Sequence, residues 1–427
     1  MKVRNGVAAG ALALALGIFA ATAAAKTHSS KTATLQVWLQ TDAKGWANIV
    51  EAANKAFQAK HPGVDVNVTY LTWGEHLGKL DAALAAGNVP DVVEMDSTEM
   101  TKYMAEGAFY RLSASKFDNS KTWLSSLQAS ATYNASLYGV PYYAGARAVV
   151  IRTDYWKQAG VKKLPPATLG EFFADGLKLM RKYGKRDSKF SALYFPGQNW
   201  VAATSWVYDF GGSIATKTRG RWKGNLDSRK SIAGLTELKK DVLALSRANR
   251  AGPVSDEWTT FSQGHVASMF ANGWEVGLII DAKAGNPALA QVIGAFPLPS
   301  HIKGKTMPVF LSGSNLAVPA LSAQKTLGID WIAAYTSTSS ERQLASEVHV
   351  IPNTKTLLSI NDGTPTLAPF AHAAAYSWFV PTAPHWPDVE NANVMQNMYT
   401  QIFTGRKSVK AAATNASKLI TQILNQG

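Results

Sequence analysis

The chain has 427 residues, long enough for two or three domains with substantial cores. It contains no cysteine, which excludes disulfides, thiol nucleophiles, cysteine-bound zinc, iron–sulfur clusters and a lipidated cysteine. The net charge is +14, but the basic residues are scattered and the densest groups, Arg181 to Arg186 and Lys217 to Arg221, fall in loop-like sequence, so no nucleic-acid partner is expected.

The N-terminus reads as a targeting segment. Lys2 and Arg4 precede an uncharged run over 6–25 that ends in Ala23, Ala24 and Ala25. A basic start, an apolar middle and a small-residue end describe a secretory leader rather than an uncleaved anchor. Cleavage near Ala25 removes two positive charges and leaves an exported chain, periplasmic or secreted, with no lipid anchor.

Leu35, Val37 and Leu39 alternate as in a strand, and Trp46, Ile49, Val50, Ala53 and Phe57 follow at helical spacing. His61, Pro62 and Gly63 end that helix. Val64, Val66, Val68 and Tyr70 alternate again, Leu77, Leu80, Ala83 and Leu84 form a second helical stripe, and Pro90 leads into a buried strand over 91–95. A third helix is expected over 99–106. Strands alternating with helices imply a parallel sheet covered on both faces, with ligands beyond the carboxyl ends of the strands. Further on, Thr168 and Glu171 form a capping box for a helix reaching Tyr183; Leu235, Leu238, Val242 and Leu245 mark another; and 266–270 reads as a short strand. The sequence has no H-E-x-x-H or G-x-G-x-x-G. The run at Gly304, Lys305 and Thr306 is not a P-loop, because the earlier glycine falls on Pro299. No metal and no cofactor are expected.

The strand ends carry the polar residues. Gln40 and Asp42 follow the first strand, Trp73 and Glu75 the second, and Glu94 and Asp96 close the third. Paired hydroxyls need carboxylates and amides, and the apolar face of a sugar ring stacks on indole, so this mixture suits a saccharide. Asp42 and Asp96 read equally well as helix caps. Glu94 and Asp96 also raise a secreted glycoside hydrolase as the alternative. Two residues apart on one strand, however, they stand side by side rather than across a bond.

The segment from Leu84 to Asp96, with Val89-Pro90-Asp91-Val92-Val93-Glu94-Met95-Asp96 at its end, resembles the extracellular solute-binding proteins, family one, of carbohydrate ABC importers. These are similar to the maltose- and trehalose-binding proteins. The stretch from Tyr138 to Tyr143, then Arg152 to Trp156, Phe210-Gly211-Gly212, Gly264 to Met269 with Gly273-Trp274, and Phe296 to Pro299 followed by Ser312 to Val318 match in order. The resemblance implies a two-lobed α/β fold of the type II periplasmic-binding-protein kind, each lobe a mainly parallel sheet flanked by helices. A leader over 1–25 is followed by a first lobe of 34–147 plus 309–358 and a second of 148–308 plus 359–427. It implies a non-catalytic monomer that holds a carbohydrate, of di- or oligosaccharide size, in the interlobe cleft and delivers it to membrane permease subunits.

Carried over by position, Asp96 is the hydroxyl acceptor, Tyr143 and Trp274 are the aromatic platforms with Glu275 beside them, and Ser314 and Asn315 form a third binding segment. Gly145 stands where some relatives carry an acid. Gln40, Asp42, Trp73, Asn199, Trp206 and Trp378 complete the candidate set, while Trp46, Trp123, Trp156 and Trp331 are expected in the core. Arg147 either grips an acidic ligand or orders the hinge by pairing with a strand-end acid. The set is richer in aromatics and amides than in cations, which favours a neutral sugar.

Overall fold

The computed structural model describes residues 33–254 and 257–426, so the leader lies outside the described residues. The chain opens with three βα units: β1 (Ala33–Gln40), α1 (Ala47–Lys60), β2 (Val64–Leu71), α2 (His76–Ala86), β3 (Val92–Asp96) and α3 (Met100–Ala105). β4 (Gly139–Ala146) and β5 (Ala148–Arg152) follow, separated only by Arg147. Helices α4 (Leu169–Tyr183), α5 (Trp200–Asp209) and α6 (Arg229–Leu245) precede β6 (Ser268–Ala271), α7 (Gly273–Ile279) and β7 (Ile293–Phe296). The chain then returns through β8 (Val309–Ala317), α8 (Lys325–Tyr335), β9 (Ile351–Pro352), β10 (Ser377–Trp378) and α9 (Trp386–Asn391).

The periods read from the sequence dictate the first lobe. Leu35, Val37 and Leu39 point into the core, and Ile49, Val50, Ala53 and Phe57 form the buried stripe of α1. The buried Asp91 carboxylate accepts the Gln36 backbone N–H at 2.9 Å, the Ser322 hydroxyl at 2.7 Å and the Gln324 amide at 3.0 Å. It thereby ties the entry of β3 to β1 and to the segment leading into α8. The strand order is β9-β4-β8-β3-β1-β2, with β10 beside β8.

The two-lobed α/β architecture agrees with expectation, but the strand directions are more mixed than the expected mainly parallel sheets. β1, β2 and β3 are parallel, as βαβ units require, whereas β8 runs antiparallel to both β3 and β4. In the second sheet β5 lies between β6 and β7 and is antiparallel to both. The physical reason is the crossing. β4 and β5 are one nearly continuous strand shared by two sheets, and the segment that returns must come back alongside it in the opposite sense. Close approach there demands glycine at 313, where a Cβ would stand 1.9 Å from the Tyr143 carbonyl oxygen.

Trp156, Trp206 and Trp386 are fully buried in the second lobe with Phe172, Phe195 and Tyr399. The Trp206 indole N–H donates to the Asp241 carboxylate of α6 at 3.0 Å, and burial pushes that carboxyl up to about 7. Replacing Trp206 by Ala is expected to cost about 3–5 kcal/mol of unfolding free energy, because it leaves a cavity and strips a buried carboxyl of its donor. Denaturant unfolding that shifts by less than about 1 kcal/mol would contradict this packing role.

Candidate functional site

Each early strand delivers a polar group to one end of the first sheet. After β1, the tight turn Thr41–Trp46 lifts Asp42 and Trp46 over the sheet edge. Asp42 accepts the Trp73 indole N–H at 2.7 Å, joining the tips of β1 and β2. The Trp46 N–H donates to the hydroxyls of Tyr142 at 2.7 Å and Tyr335 at 3.0 Å, and its ring meets Tyr143 edge-on at 5.8 Å. Trp46 is therefore anchored in the core as expected, yet one edge of it faces outward.

The opposite wall comes from the second sheet. The turn expected after β6 is a helix start. Asn272 caps α7, and the Glu275 carboxylate accepts the Asn272 backbone N–H at 2.7 Å to close a capping box. This fixes Trp274 in the first turn, where it remains 38% exposed. Its indole reaches back to β4. A Cβ at Gly145 would lie 2.8 Å from the ring and 2.9 Å from Asn272 Oδ1, so the missing side chain at 145 is the space that the indole occupies.

Trp274 divides two cavities. One, of about 240 Å³, is lined by Asp42, Trp46, Tyr143, Trp274, Val348 and Val350. The other, of about 280 Å³, is lined by Arg147, Asn199, Glu257, Trp258, Asn272, Trp274 and Glu275, among others. Burial lowers the Arg147 guanidinium from its usual range, with Glu275 and Glu257 acting against that. A larger hollow of about 570 Å³, beside Pro297, Lys355 and His372, is wide and lies away from the strand tips. The pair of cavities is the candidate site, because the turn after β1 and the helix start after β6 face each other across it.

A second polar cluster lies at the end of β3. Asp96 accepts the Thr98 backbone N–H at 2.8 Å and the Thr98 hydroxyl at 2.9 Å, so it caps the turn before α3. That hydroxyl also points to Glu390 of α9 at 3.4 Å, and the Trp386 indole holds the same carboxyl at 2.7 Å. Burial raises Asp96, with the Glu99 charge adding to it. Burial and then the Asp96 charge push Glu390 up to about 8. Burial, with the Asp42 charge adding to it, outweighs the Gln40 N–H and Ser314 at Glu94 and takes it to about 7. His76 binds Glu99 at 2.9 Å, and although burial pulls its pKa down, the carboxylate prevails and raises it.

Asp42, Tyr143, Arg147, Asn199, Trp274 and Glu275 thus line the two cavities as a group. Trp73 stands exposed, bonded to Asp42. Other expected site residues lie elsewhere. Trp206 and Trp378 belong to the second-lobe core, where their helix and strand faces turn inward. Gln40 is buried, with its backbone N–H on Glu94 at 2.9 Å. Ser314 lies beneath the surface. Strand alternation turns Asn315 to the other face of β8, where its amide donates to Ser130 at 3.0 Å. Sequence reasoning missed Glu257, Trp258, Asn272, Val348, Val350 and Glu390. Of these only Asn272 carried a local signal, as an Asn three residues before Glu275.

A family model for bacterial extracellular solute-binding proteins matches residues 52–369. The chain belongs to that family. The solute-binding chain is 33% identical to the diacetylchitobiose-binding protein DasA of Streptomyces coelicolor, over 84% of this chain and 82% of the relative. It is 24% identical to a maltooligosaccharide ABC transporter solute-binding lipoprotein of Streptococcus pneumoniae, over 97% and 94% respectively. Its fold superimposes on the sugar-binding protein MalE of Xanthomonas citri with a TM-score of 0.77 at 19% identity, covering 92% of this chain and 97% of that one. A solute-binding role replaces the hydrolase alternative, and the buried Glu94 carboxyl, held by Gln40, is placed for packing rather than for proton transfer.

The raised carboxyls give this solute-binding protein a pH dependence of definite sign. An acid whose pKa is higher folded than unfolded binds more protons in the native state, so its cost is absent below the unfolded value and grows as pH rises through the folded one. Starting from ordinary values near ~4, Glu94 and Glu390 lower stability up to about 7 and about 8, and Asp96 acts in the same direction. The unfolding free energy is expected to fall from pH 5 to pH 8, and Glu390→Gln is expected to flatten the upper part of that fall and raise stability at pH 8. Melting curves that rise across this window would refute the assignment.

Proposed function

We propose that this solute-binding protein receives an oligosaccharide in the cleft between its lobes, with one sugar unit on each side of Trp274, and delivers it to the permease of an ABC importer. Each cavity alone is below the ~300–1,000 Å³ usual for a ligand pocket, while the pair falls within it. Asp42, Trp46 and Tyr143 supply one wall from the first sheet; Asn199, Asn272 and Trp274 supply the other. The observation that carries the reading is the indole of Trp274, held by a capped helix in the space left by Gly145 and open to both cavities. Such a surface stacks on the C–H face of a pyranose while the carboxylate and amides around it take the hydroxyls. The names of the relatives, which bind diacetylchitobiose and maltooligosaccharides, support the ligand class.

In this reading the lobes comprise 34–147 with 309–358, and 148–308 with 359–427, hinged where β4 passes into β5. The protein acts after export as a monomer with the leader over 1–25 removed, and with no cysteine to carry a lipid.

Calorimetric titration of the mature protein with di- to tetrasaccharides tests the reading. Trp274→Ala is expected to weaken the best ligand by about ten- to a hundredfold, with little change in unfolding free energy because the ring is already partly exposed. Gly145→Ala is expected to weaken binding too, since its methyl group forces the indole to move. Unchanged affinity in a folded Trp274→Ala protein would remove the indole from the site.

A further inference from the structure

A basic hairpin stands on the second lobe, and none of its residues lines either cavity. It runs out over Ala215–Thr218 and back over Arg221–Gly224, with Lys217 opposite Trp222 and Thr218 opposite Arg221. Arg219 and Gly220 form the tip with φ of +49° and +82°, the left-handed conformation that suits a two-residue hairpin turn. The hairpin is seated on the C-terminal helix Val409–Leu424. There the Gly224 N–H donates to the Thr421 hydroxyl at 2.8 Å, and Asn425 accepts the Trp222 N–H at 3.0 Å and donates to its carbonyl at 2.8 Å. Four cations, Lys217, Arg219, Arg221 and Lys223, fall within these few residues, and all are exposed. Among the described residues none of them pairs with an acid, whereas Lys79, Lys178 and Arg152 do. By the strand period Arg221 and Lys223 share the exposed face with Thr216 and Thr218. Lys217 lies on the other face, its ammonium 5.4 Å from the centre of the half-buried Trp222 ring. Arg229 and Lys230, exposed at the start of α6, extend the positive charge, and Asp227 is the single acid over 210–236.

We propose that this hairpin is a docking surface for an anionic lipid bilayer, which holds the protein against the membrane while its cleft stays free. Cations without acidic partners, carried on a backbone fixed to a helix, meet phosphate headgroups without first breaking an ion pair. Each Lys or Arg near such a surface strengthens binding by about fivefold. A convex two-residue tip suits a plane of headgroups. A nucleic-acid strand is instead held in a groove that tracks its backbone, with aromatic faces open to the bases. Here the Trp222 ring packs on the second-lobe core and beneath Lys217, so no such platform is offered. Delivery to a permease requires residence near a bilayer, and the chain has no cysteine on which to carry a lipid. A reversible electrostatic contact supplies that residence and lets the protein leave again.

The test is co-sedimentation of the protein with vesicles of phosphatidylcholine alone or with about 30% phosphatidylglycerol, at neutral pH and low salt. The wild-type protein is expected to bind only the anionic vesicles and to leave them as salt rises from about 50 to about 500 mM. Replacing Lys217, Arg219, Arg221 and Lys223 together by Gln should weaken vesicle binding by about a hundredfold or more. A control replaces Lys55, Lys121, Lys157 and Lys303, which are exposed but scattered, and should lose far less. Equal binding of the wild type to neutral and anionic vesicles, or to neither, overturns the docking surface, and this arm needs no variant. An equal loss in the control also overturns it, because net charge rather than the hairpin would then be responsible. So does tighter binding to a single-stranded oligonucleotide than to the anionic vesicles. None of these outcomes touches the saccharide reading, which the sugar titrations decide separately.

Discussion

Everything at the site is referred to one stretch of backbone, residues 139–152, which serves two sheets in succession. Its first part pairs with β8 and its second with β6 and β7, with Arg147 as the single residue between. A strand shared in this way brings two sheets edge to edge and leaves little room for side chains at the crossing. Gly313 lets β8 press against Tyr143, and Gly145 lets the α7 indole rest on the strand. Tyr143, Gly145 and Arg147 alternate along it, so the aromatic wall, the notch for Trp274 and the half-buried cation fall on the same side by the period of a strand.

The early βα units were legible because their periodicities are uninterrupted. The apolar alternation of β1 and β2 and the stripe of α1 gave elements, order and core face together. The strand-tip rule then led to Asp42, and the resemblance to Tyr143 and Trp274, both at the cavity. Trp206 and Trp378 misled for a physical reason. An indole beside polar residues looks the same in sequence whether its helix face turns outward or inward, and only the packing of α5 against α6 settles which. Ser314 and Asn315 are adjacent in the motif, but the alternation of a strand sends them to opposite faces of β8. Glu257 and Glu390 carry no local signature. Each matters because a distant element brings it beside Arg147 or Asp96, and such a pairing leaves no period to count.

The acids at the end of β3 show how the fold handles charge near its cleft. Asp96, Glu99 and Glu390 are gathered with His76 as the one cationic partner among their described contacts, and a single threonine hydroxyl lies between two of them. Burying carboxylates as anions is costly, which is why Glu390 and Asp96 both titrate high. The Thr98 hydroxyl, shared between Asp96 and Glu390, joins α9 to the loop after β3.

The two cavities resolve the same problem differently. Around Arg147 the charges of Glu275 and Glu257 oppose the cost of burial, and Glu275 is locked by its own capping duty. The far cavity gathers guanidinium, carboxylate and amide groups, and hydroxyl groups, which both donate and accept, complement such a mixture. On the near side of Trp274 the cavity has one carboxylate, Asp42, already occupied by Trp73, and otherwise aromatic and aliphatic walls. The near cavity therefore offers stacking area and the far one offers hydrogen-bond chemistry. The indole of Trp274 is a surface common to both cavities.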